Sequence, residues 1–589
     1  MRVFEANISR QVSDYLKESL KYITTFEAAN QKILTEFGIS QFFDFPEELF
    51  ALKEALSYFK NHIEDPDRAE YGDFQTNSDL ANKVSLHLTS KSVLPEIILE
   101  PTCGKGNFVI ASLRNFKTIK KVFCIEIYKP YVWETKFNVL DYFISNPTLN
   151  KPEINIIHCN VFDFDFKALA AKCSNSNILV IGNPPWVTNS KLGSLNSKNL
   201  PRKSNFKNNS GLDAMTGKGN FDIAEFITIS LLEKFQSTTG YLALLVKNSV
   251  VKNIVFEQKR NRFKISTIEK HCIDSKKEFN VSVEASLFFC KLNSKPTLEC
   301  SEYNFYDNGG PHLKFGWLND KFISNIATYK YTKEIDGVCP FEWRQGLKHD
   351  CSNIMELEKE NGHYVNGLNE LVRLEEDLVY GILKSSDLKN QVITDARKYT
   401  IVTQRKVGQE TKYIRAEFPK TYQYLVEHQA SFEARKSSIY NNKPLFSIFG
   451  IGDYSFKRYK VAISGLYKTF HFSLILPKNN KPLMLDDTCY LIGFDKLEFA
   501  VYSLILLNSE KTVRFLQSVT FPDAKRTFTK DVLMRIDLLA LAKNTEKAYI
   551  KSELEALNSQ YNITVTLSLW DNFISKLLPI TNGQIEMFT

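Results

Sequence analysis

A short apolar run at 178–182 is followed by the motif NPPW, which consists of Asn183, Pro184, Pro185 and Trp186. Each proline fixes its own φ angle and contributes no backbone N–H, so the turn presents carbonyl oxygens, and Asn183 adds a side-chain oxygen. The Asn183 Oδ1 and the Pro184 carbonyl can each accept one hydrogen of an aromatic amine, whose lone pair is otherwise delocalised into its ring. These contacts would draw the nitrogen towards tetrahedral geometry and aim its lone pair at an electrophile. The motif indicates direct group transfer to an exocyclic amine, with Trp186 stacking on the ring; the structural alternative is a rigid turn with a core tryptophan.

A second motif, ILEPTCGKGNF, occupies residues 98–108 at the end of the first predicted strand. Gly104 and Gly106 allow the backbone to turn tightly and to approach a ligand closely. A dinucleotide fingerprint would place a third glycine at position 109, where Val109 stands, so NAD and FAD are disfavoured. Glu126 closes the second predicted strand, where its carboxylate can accept hydrogen bonds from both ribose hydroxyls. The two features predict a nucleoside-containing cofactor.

The third predicted strand is followed by NVFDFDF, in which Asp163 could bind the exocyclic amine of a cofactor adenine while Phe164 covers its face. Asp165 competes for the same role. Upstream, the stretch 71–84 indicates a loop feeding a helix, with Thr76 or Asn77 as the cap and backbone amides open to a ligand carboxylate. Each feature alone has a plain structural explanation. Together they occupy successive carboxyl ends of an α/β sheet, where such sheets bind ligands.

The elements that must position these residues are visible as short apolar runs separated by stretches of helix length. The last two runs are too close for a crossover helix, so we expect them to form an antiparallel pair at one edge of an otherwise parallel sheet. The predicted strands are 97–100, 122–127, 154–159, 178–182, 241–247, 268–273 and 285–292.

The regions before and after these strands have different residue patterns. Apolar spacing at the N-terminus is helical, the sequence after residue 295 is aromatic-rich and turn-rich and predicts a separate β-rich domain, and the final stretches 546–558 and 567–578 are helical in pattern. We therefore predict a helical segment at 1–68, a catalytic domain at 69–295, a second domain at 296–545 and a C-terminal helical segment at 546–589.

The composition indicates a folded, multidomain protein. A chain of 589 residues exceeds the size of a single hydrophobic core, and hydrophobic and charged contents of 43% and 24% are those of globular proteins. The net charge of +8 permits an anionic partner. The ten cysteines form no CxxC pair, so we expect reduced thiols and no metal site. The N-terminus has no signal-peptide pattern and the longest apolar run, 499–507, is too short to span a membrane, so a cytoplasmic protein is expected.

The motifs GDFQTN, EPTCGKGNF, CIEI, NVFDF and NPPW occur in this order between residues 72 and 186. With them the chain resembles, over nearly its whole length, the gamma-class amino methyltransferases of bacterial restriction-modification systems. The resemblance implies a class I S-adenosylmethionine-dependent methyltransferase fold, with a seven-stranded mostly parallel sheet followed by a target-recognition domain. It assigns catalysis to Asn183, Pro184, Pro185 and Trp186. It assigns contacts with S-adenosylmethionine to Phe74, Gln75, Thr76, Glu100, Pro101, Cys103, Gly104, Gly106, Phe108, Glu126, Ile127, Asp163, Phe164 and Asn183.

The implied reaction is methylation of the N6 amino group of an adenine that is flipped out of double-stranded DNA. The basic segment 191–220 resembles a DNA-contacting loop, with Phe206 or Leu212 as a second stacking face for the base, although a solvated loop is the alternative. The recognition domain interleaves basic and aromatic residues, as phosphate contact and base reading require. The predicted DNA contacts are Lys191, Arg202, Lys203, Phe206, Lys207, Arg344, Lys348, His349, Arg435, Lys436 and Lys457.

Three other functions fit parts of the sequence. The family more often has tyrosine at the position of Trp186, which keeps methylation of cytosine N4 open. RNA and protein-glutamine methyltransferases also use NPP followed by an aromatic residue, but the large basic and aromatic C-terminal region argues against them. A catalytically silent DNA-binding subunit would tolerate loss of Asn183 or of the glycine loop, and both are intact. The resemblance allows a separately encoded restriction endonuclease as a partner and predicts neither a membrane nor a metal partner.

Overall fold

The computed structural model describes residues 6–57, 75–188, 222–307, 309–521 and 526–578. The chain divides into two compact units, Met1–Phe322 and Ile323–Thr589. Within the described residues, no helix combines the length and the apolar character that crossing a lipid bilayer requires.

The central sheet of the first unit contains all seven predicted strands, each within two residues of its predicted bounds. In the described residues its ten strands lie in the order β10-β9-β8-β6-β7-β5-β4-β1-β2-β3. Their bounds are β1 (Ile97–Glu100), β2 (Lys121–Glu126), β3 (Glu153–His158), β4 (Ile178–Gly182), β5 (Gly240–Lys247), β6 (Ser266–Ile273), β7 (Ala285–Lys291), β8 (Glu299–Asn304), β9 (Leu313–Leu318) and, at the boundary between the units, β10 (Lys321–Ile323).

The strand order reverses between β1 and β4. Strand β1 pairs in parallel with β2 on one side and with β4 on the other, so Leu99 lies opposite both Phe123 and Val180. The open end of a parallel sheet at such a reversal is where ligands bind in α/β folds. A ligand site is therefore expected at the carboxyl ends of β1 to β4.

The predicted pair β6 and β7 is antiparallel, but its predicted position at the edge of the sheet is wrong. Strand β8 adds in parallel to β6, with Glu269 opposite Ser301, and β9 pairs with β8. The aromatic-rich and turn-rich sequence after residue 295 predicts that the hairpin of β8 and β9 belongs to the second domain. Its hydrogen bonds instead join it to the sheet of the first unit.

Helices connect the parallel strands, as a crossover between such strands requires. The helix that leads into the site, Ser78–Ser90, is capped by Asn77, whose Oδ1 accepts the Leu80 N–H at 2.7 Å. The helices of the first unit are Arg10–Leu20, Phe26–Phe37, Pro46–Ser57, Ser78–Ser90, Asn107–Asn115, Lys129–Ser145, Phe166–Lys172, Ile223–Phe235, Asn248–Asn261 and Ser275–Phe279.

The N-terminal helical segment packs on the helix Lys129–Ser145. Trp133 meets the ring of Phe42 edge to face at 5.5 Å, and the buried Lys136 donates to the Phe42 carbonyl at 2.7 Å. Lys129 forms an ion pair with Glu48 at 2.8 Å. The segment thus packs against and supports the helix that follows β2.

The second unit contains two sheets in its described residues. One has the order β11-β21-β18-β19-β16 and the other the order β14-β13-β12-β17-β15-β20. The strands of the first are β11 (Arg344–Gln345), β16 (Val392–Ile393), β18 (Tyr459–Ser464), β19 (Phe472–Ile475) and β21 (Cys489–Phe494). Those of the second are β12 (Glu356–Glu360), β13 (His363–Asn366), β14 (Leu371–Val372), β15 (Val379–Leu383), β17 (Lys398–Ile401) and β20 (Met484–Leu485).

Short helices surround these sheets and longer ones follow them, so the unit is mixed and rich in strands, as predicted. The two final helices correspond to the predicted stretches 546–558 and 567–578. The α-helices are Ile326–Thr332, Ser352–Met355, Tyr413–Glu417, Pro419–Glu427, Gln429–Glu433, Asp453–Phe456, Leu497–Leu507, Glu510–Val519, Lys530–Leu533, Leu538–Lys543, Lys547–Tyr561 and Trp570–Leu577.

Candidate active site

An open cavity lies at the carboxyl ends of β1 to β4. Its volume is about 870 Å³ including the part open to solvent, which is within the range of cofactor sites. The lining residues are Gln75, Thr76, Glu100, Pro101, Thr102, Cys103, Gly104, Asn107, Phe108, Ile125, Glu126, Ile127, Tyr128, Tyr131, Cys159, Asn160, Val161, Phe162, Asn183, Pro184 and Pro185. Most of the predicted cofactor residues therefore lie together with three of the four residues of the NPPW motif.

The glycine loop after β1 has a conformation that its two glycines make possible. Gly104 and Gly106 have φ angles of +51° and +79°, and a Cβ atom at Gly106 would stand 2.7 Å from the Cγ2 of Thr135. The loop is held from the neighbouring helix, where the Thr135 hydroxyl donates to the Gly104 carbonyl at 2.8 Å. Asn138 donates to the Lys105 carbonyl at 2.9 Å. The backbone of the loop is therefore pressed against the helix and open towards the cavity.

Glu126, at the end of β2, is fixed by backbone groups. Its Oε2 accepts the Gly104 N–H and its Oε1 accepts the Tyr128 N–H, both at 2.8 Å. A carboxylate offers about four acceptor positions, so it can accept hydrogen bonds from backbone groups and from a ligand together. This geometry suits a carboxylate that receives two hydroxyl groups of a ligand.

Glu100, at the end of β1, is buried in the cavity wall, and its Oε2 has no hydrogen-bond partner among the described residues. Burial, together with the nearby Cys103 and Glu126, raises the pKa of the Glu100 carboxyl well above its ordinary value. The Thr76 hydroxyl is likewise buried and unpartnered in the described part of the chain. Such atoms are costly unless a ligand completes their bonding, and these two suit an ammonium and a carboxylate respectively.

The prediction that Asp163 and Phe164 form an adenine pocket is not supported by their positions. Asp163 is exposed and Phe164 packs against Phe166, and neither lines the cavity. The cavity is lined instead by residues nearer the strand end, including Asn160 and Phe162. The reason is a tight turn in which the Phe162 N–H donates to Asn160 Oδ1 at 3.0 Å. The other candidate, Asp165, accepts the Ala168 N–H and caps the following helix.

Asn183, Pro184 and Pro185 follow β4 directly and form one wall of the cavity. The position is set by the sheet, because β4 is buried along its whole length and pairs with both β1 and β5. The Thr102 hydroxyl donates to the Asn183 carbonyl at 3.4 Å, which links this turn to the glycine loop. The acceptor motif and the glycine loop thus face one space.

Trp186 lies outside the cavity lining. Its side chain is 5% exposed, its indole N–H donates to the Leu245 carbonyl at 3.2 Å, and its ring meets Phe279 edge to face at 4.9 Å. This placement anchors the end of the NPPW turn in the core. Stacking of Trp186 on a base stays a prediction.

An isolated antiparallel β-bridge follows the NPPW motif. Thr188 pairs with Asp222, and the Ile223 N–H donates to the Val187 carbonyl at 2.8 Å. Asp222 also forms an ion pair with Lys247 at 2.6 Å. The predicted site residues Phe74, Lys191, Arg202, Lys203, Phe206 and Lys207 lie outside the described residues.

Sequence reasoning missed several residues of the site. Tyr128 and Tyr131 line the cavity from the first turn of the helix Lys129–Ser145, and Asn107 donates to the Thr76 carbonyl at 2.7 Å. Tyr128 and Tyr131 are three positions apart at a helix start, so they share a face. Their spacing after Glu126 was a signal that could have identified them.

Comparison with known proteins identifies the family. No family model matches the chain. The chain is 40% identical over 487 residues to the type II methyltransferase M.NspV of Nostoc sp. (strain ATCC 29411 / PCC 7524), and the match covers 82% of this chain and 99% of that protein. The chain belongs to the type II methyltransferases.

The fold agrees with this assignment. The type IIL restriction-modification enzyme MmeI, solved in complex with DNA, matches this type II methyltransferase with a TM-score of 0.54 and 13% identity, over 98% of this chain and 90% of that chain. The first unit has the class I S-adenosylmethionine-dependent methyltransferase fold, with the added strands β8 and β9 described above. Among the described residues, no group of three or more His, Cys, Asp and Glu side chains is placed to hold a metal ion.

Four of the basic residues predicted to contact DNA lie on the surface of the second unit of this type II methyltransferase. Arg344 pairs with Glu342 and lies over the ring of Tyr454. Lys348 lies 3.5 Å from Asp350, Lys457 lies 2.7 Å from Asp495, and Lys436 is exposed. Their role as DNA contacts stays a prediction.

The other two have structural surroundings. His349 is 7% exposed, and its Nδ1 accepts the Cys351 N–H at 3.1 Å. Arg435 lies over the Tyr440 ring and donates to four carbonyl groups, among them Ser447 at 2.7 Å. A guanidinium whose donors are occupied in this way fixes the local fold, and both residues are therefore unsuited to the DNA contacts predicted for them.

Proposed function

We propose that this type II methyltransferase transfers a methyl group from S-adenosylmethionine to the N6 amino group of adenine in double-stranded DNA, as the modification component of a restriction-modification system. One observation carries the proposal. A single cavity joins the glycine loop and the carboxylates of Glu100 and Glu126 to the acceptor turn formed by Asn183, Pro184 and Pro185.

The cavity has the donors and acceptors that S-adenosylmethionine requires, and the cofactor would supply a methyl group on a positively charged sulfur. Glu126, which lines the cavity at the end of β2, would accept the ribose hydroxyls. Glu100, buried and without a partner for Oε2 among the described residues, would face the ammonium group. The Thr76 hydroxyl would donate to the carboxylate. Each assignment satisfies a group whose burial is otherwise costly.

Asn160 and Phe162 would take the role first predicted for Asp163 and Phe164. Both line the cavity next to the end of β3. The amide of Asn160 can donate and accept hydrogen bonds at the edge of an adenine ring, and the ring of Phe162 can cover its face.

The acceptor turn would hold the base. Asn183 Oδ1 and the Pro184 carbonyl each accept one amino hydrogen, which localises the nitrogen lone pair and orients it towards the methyl group. A base inside duplex DNA cannot reach this turn, so the proposal includes extrusion of the adenine from the helix. Trp186 anchors the turn through Leu245, and we retain for it the predicted stacking contact.

The relatives support DNA as the substrate. M.NspV is a type II methyltransferase, and MmeI is a restriction-modification enzyme whose structure contains DNA. The division of the chain into a catalytic domain and a target-recognition domain is part of the proposal, with the boundary moved from residue 295 to residue 322. The basic segment 191–220 as a DNA-contacting loop, a cytoplasmic location and a separately encoded restriction endonuclease as partner are also part of it.

Single-molecule sequencing of DNA from a methylation-deficient bacterial host that expresses the full chain tests the proposal. Modified adenine within one sequence motif is expected. Modification of cytosine N4 would keep the mechanism and overturn the assignment of the base. Unmodified DNA, together with purified protein that binds S-adenosylmethionine, would contradict the proposed substrate.

The variant Asn183→Ala tests the role of the acceptor turn. Removal of a transition-state acceptor lowers turnover by about 100- to 1,000-fold, while the dissociation constant for S-adenosylmethionine stays within about threefold because no packing is lost. Asn177→Ala is the matched control, since Asn177 lies at the opposite end of β4 and donates to the Leu94 carbonyl. Unchanged turnover in Asn183→Ala would refute the role given to this residue.

The variant Trp186→Ala separates the two roles of Trp186. Trp186→Ala should weaken capture of the base more than binding of the cofactor if the indole stacks on the base. Equal loss of both would show that Trp186 acts only through packing against Phe279 and the Leu245 carbonyl.

A further inference from the structure

The second unit carries a preformed loop, which we name the basic loop and define as residues 404–415. The buried amide of Gln404 accepts the Ile448 N–H at 2.8 Å and donates to the Gln409 carbonyl. The side-chain oxygen of Gln409 in turn accepts the Arg405 N–H at 2.8 Å. Tyr413 closes the loop by donating to the Thr403 carbonyl at 3.0 Å. Two glutamine amides and one tyrosine therefore fix the backbone while the tip stays exposed.

The cations of this loop have no ionic partner. Arg405, Lys406, Lys412 and Arg415 are exposed, and none forms an ion pair within the described residues. The only carboxylate of the loop itself is Glu410. Many other basic residues of the unit are paired with carboxylates. Examples are Arg344 with Glu342, Lys398 with Glu358, Lys457 with Asp495 and Arg535 with Asp336. The basic loop thus concentrates positive charge that forms no ion pair with any described part of the chain.

Arg405 is oriented by aromatic rings. Its guanidinium carbon lies 4.3 Å from the centre of the Phe456 ring, and Phe456 meets Tyr380 edge to face at 5.8 Å. The Nζ of Lys481 lies over the Tyr380 ring, 4.1 Å from its centre. The carboxylates of Asp377 and Glu417 face Tyr380 and Tyr413 respectively, and neither forms an ion pair with Arg405. The stacked guanidinium therefore keeps its hydrogen-bond donors for a partner.

We propose that the basic loop is a DNA-contacting element of the second unit, in which Arg405 reads a base edge and Lys406, Lys412 and Arg415 contact phosphates. A planar, ring-supported guanidinium matches the paired acceptors O6 and N7 of guanine in the major groove. Exposed, uncompensated lysine and arginine side chains gain from phosphate contact by release of counterions. The fixed backbone lowers the conformational cost of binding. This inference rests on the proposed function, because it takes DNA as the substrate.

Phosphate contact is tested by the salt dependence of binding to a random-sequence duplex of about 30 base pairs, with the full chain. The variant Lys406→Ala/Lys412→Ala/Arg415→Ala should lower the slope of log affinity against log salt by about 2 to 3, since each lost phosphate contact contributes about 0.9. The matched control is Lys543→Ala/Lys547→Ala/Lys551→Ala, three exposed lysines in the C-terminal helices of the same unit. The control should keep the slope of the unmodified chain.

Base reading is tested with Arg405→Ala and Arg405→Lys and with duplexes that contain, or lack, the methylated motif found by sequencing. Both variants should lose preference for the motif by about 10- to 100-fold, because lysine cannot form the paired contact. Arg405→Lys retains the charge and packing over Phe456, so its affinity for random duplex should stay within about threefold. Loss of preference in this variant therefore reports base reading and not misfolding.

The outcomes separate the two proposals. If the unmodified chain binds neither duplex, the proposed function fails and this inference fails with it. If the unmodified chain binds and methylates DNA while the basic-loop variants retain its salt slope and its motif preference, the proposed function stands and the role of the basic loop is overturned.

Discussion

The backbone N–H of Gly104 donates a 2.8 Å hydrogen bond to Oε2 of Glu126, so the glycine loop after β1 and the acidic end of β2 are held as one piece. The same carboxylate accepts the Tyr128 N–H through its other oxygen. Glu126 therefore shapes the loop and the start of the next helix as well as presenting acceptors to a ligand.

We expect Glu126→Gln to weaken S-adenosylmethionine binding by about 10- to 100-fold. The neutral amide keeps one acceptor oxygen, and its NH₂ group would face the backbone N–H of either Gly104 or Tyr128. The variant therefore loses a hydrogen bond to a charged group, which is worth about 1.5 to 3 kcal/mol. Isothermal titration calorimetry measures the affinity. Glu153→Gln is the control, because Glu153 lies at the other end of the neighbouring strand in an ion pair with Lys121. An affinity equal to that of the unmodified chain would contradict the proposed role of Glu126 in cofactor binding.

We expect Gly106→Ala to abolish measurable cofactor binding, with partial recovery in Gly106→Ala/Thr135→Ser. The alanine Cβ would stand 2.7 Å from the Thr135 Cγ2. Serine removes that methyl group and keeps the hydroxyl that donates to the Gly104 carbonyl. Recovery stays incomplete because a φ of +79° costs an alanine about 1 to 2 kcal/mol. Titration of both variants and of Thr135→Ser alone measures the effect. Absence of any recovery would contradict the steric cause.

Binding of S-adenosylhomocysteine, which has the same ammonium group, should release a proton from Glu100. Burial raises the pKa of this carboxyl in the free protein, and a bound cation lowers it again. The affinity should therefore rise with pH until the raised pKa is passed, and the binding heat should differ between phosphate and Tris buffers. Glu100→Gln should abolish that difference, while Glu96→Gln, at the other end of β1, should retain it. Identical heats for the unmodified chain in both buffers would count against this coupling.

Lys460→Met should stabilise the second unit by about 2 to 4 kcal/mol at pH 6. Lys460 is 1% exposed on β18, and burial lowers its pKa from 10.5 to about 7, where each pKa unit corresponds to about 1.4 kcal/mol. Because the folded pKa is the lower one, the unfolded chain binds more protons between pH 7 and pH 10, and stability rises with pH in that window. Hydrogen exchange of β18 at pH 6 and pH 9 measures the difference, which should shrink at pH 9. A less stable variant at pH 6 would show that the bond from Lys460 to the Lys457 carbonyl outweighs burial.

The centre of the sheet could be predicted from the sequence because β1 and β4 are short runs of apolar residues. The burial of β1 and β4 is continuous, as parallel strands covered on both faces require. Strand β8 was not predicted because only its Cys300 is fully buried, and its remaining residues are polar or partly exposed. A strand near the margin of a sheet buries few side chains, so its sequence carries little hydrophobic pattern.

Most of the predicted cofactor residues line the cavity, and the predicted residues that lie elsewhere share a physical cause. The residue for adenine binding was sought among acidic side chains, with Asp163 predicted and Asp165 as the alternative, so Asn160 was not considered. The turn after β3, closed by Asn160 Oδ1, decides which side chain reaches the cavity, and turn geometry is not encoded in residue type alone. Likewise, a sequence shows that Arg435 is basic but not that four carbonyl groups already occupy its donors.

The pairing of Thr188 with Asp222 means that the two ends of the segment 189–221 meet beside the NPPW turn. The bridge, the hydrogen bond from the Ile223 N–H to the Val187 carbonyl and the ion pair of Asp222 with Lys247 thus tie the start of the helix Ile223–Phe235 to the end of the NPPW turn and to β5. A shift of this helix would therefore be transmitted directly to the carbonyl groups that the NPPW turn presents to the cavity.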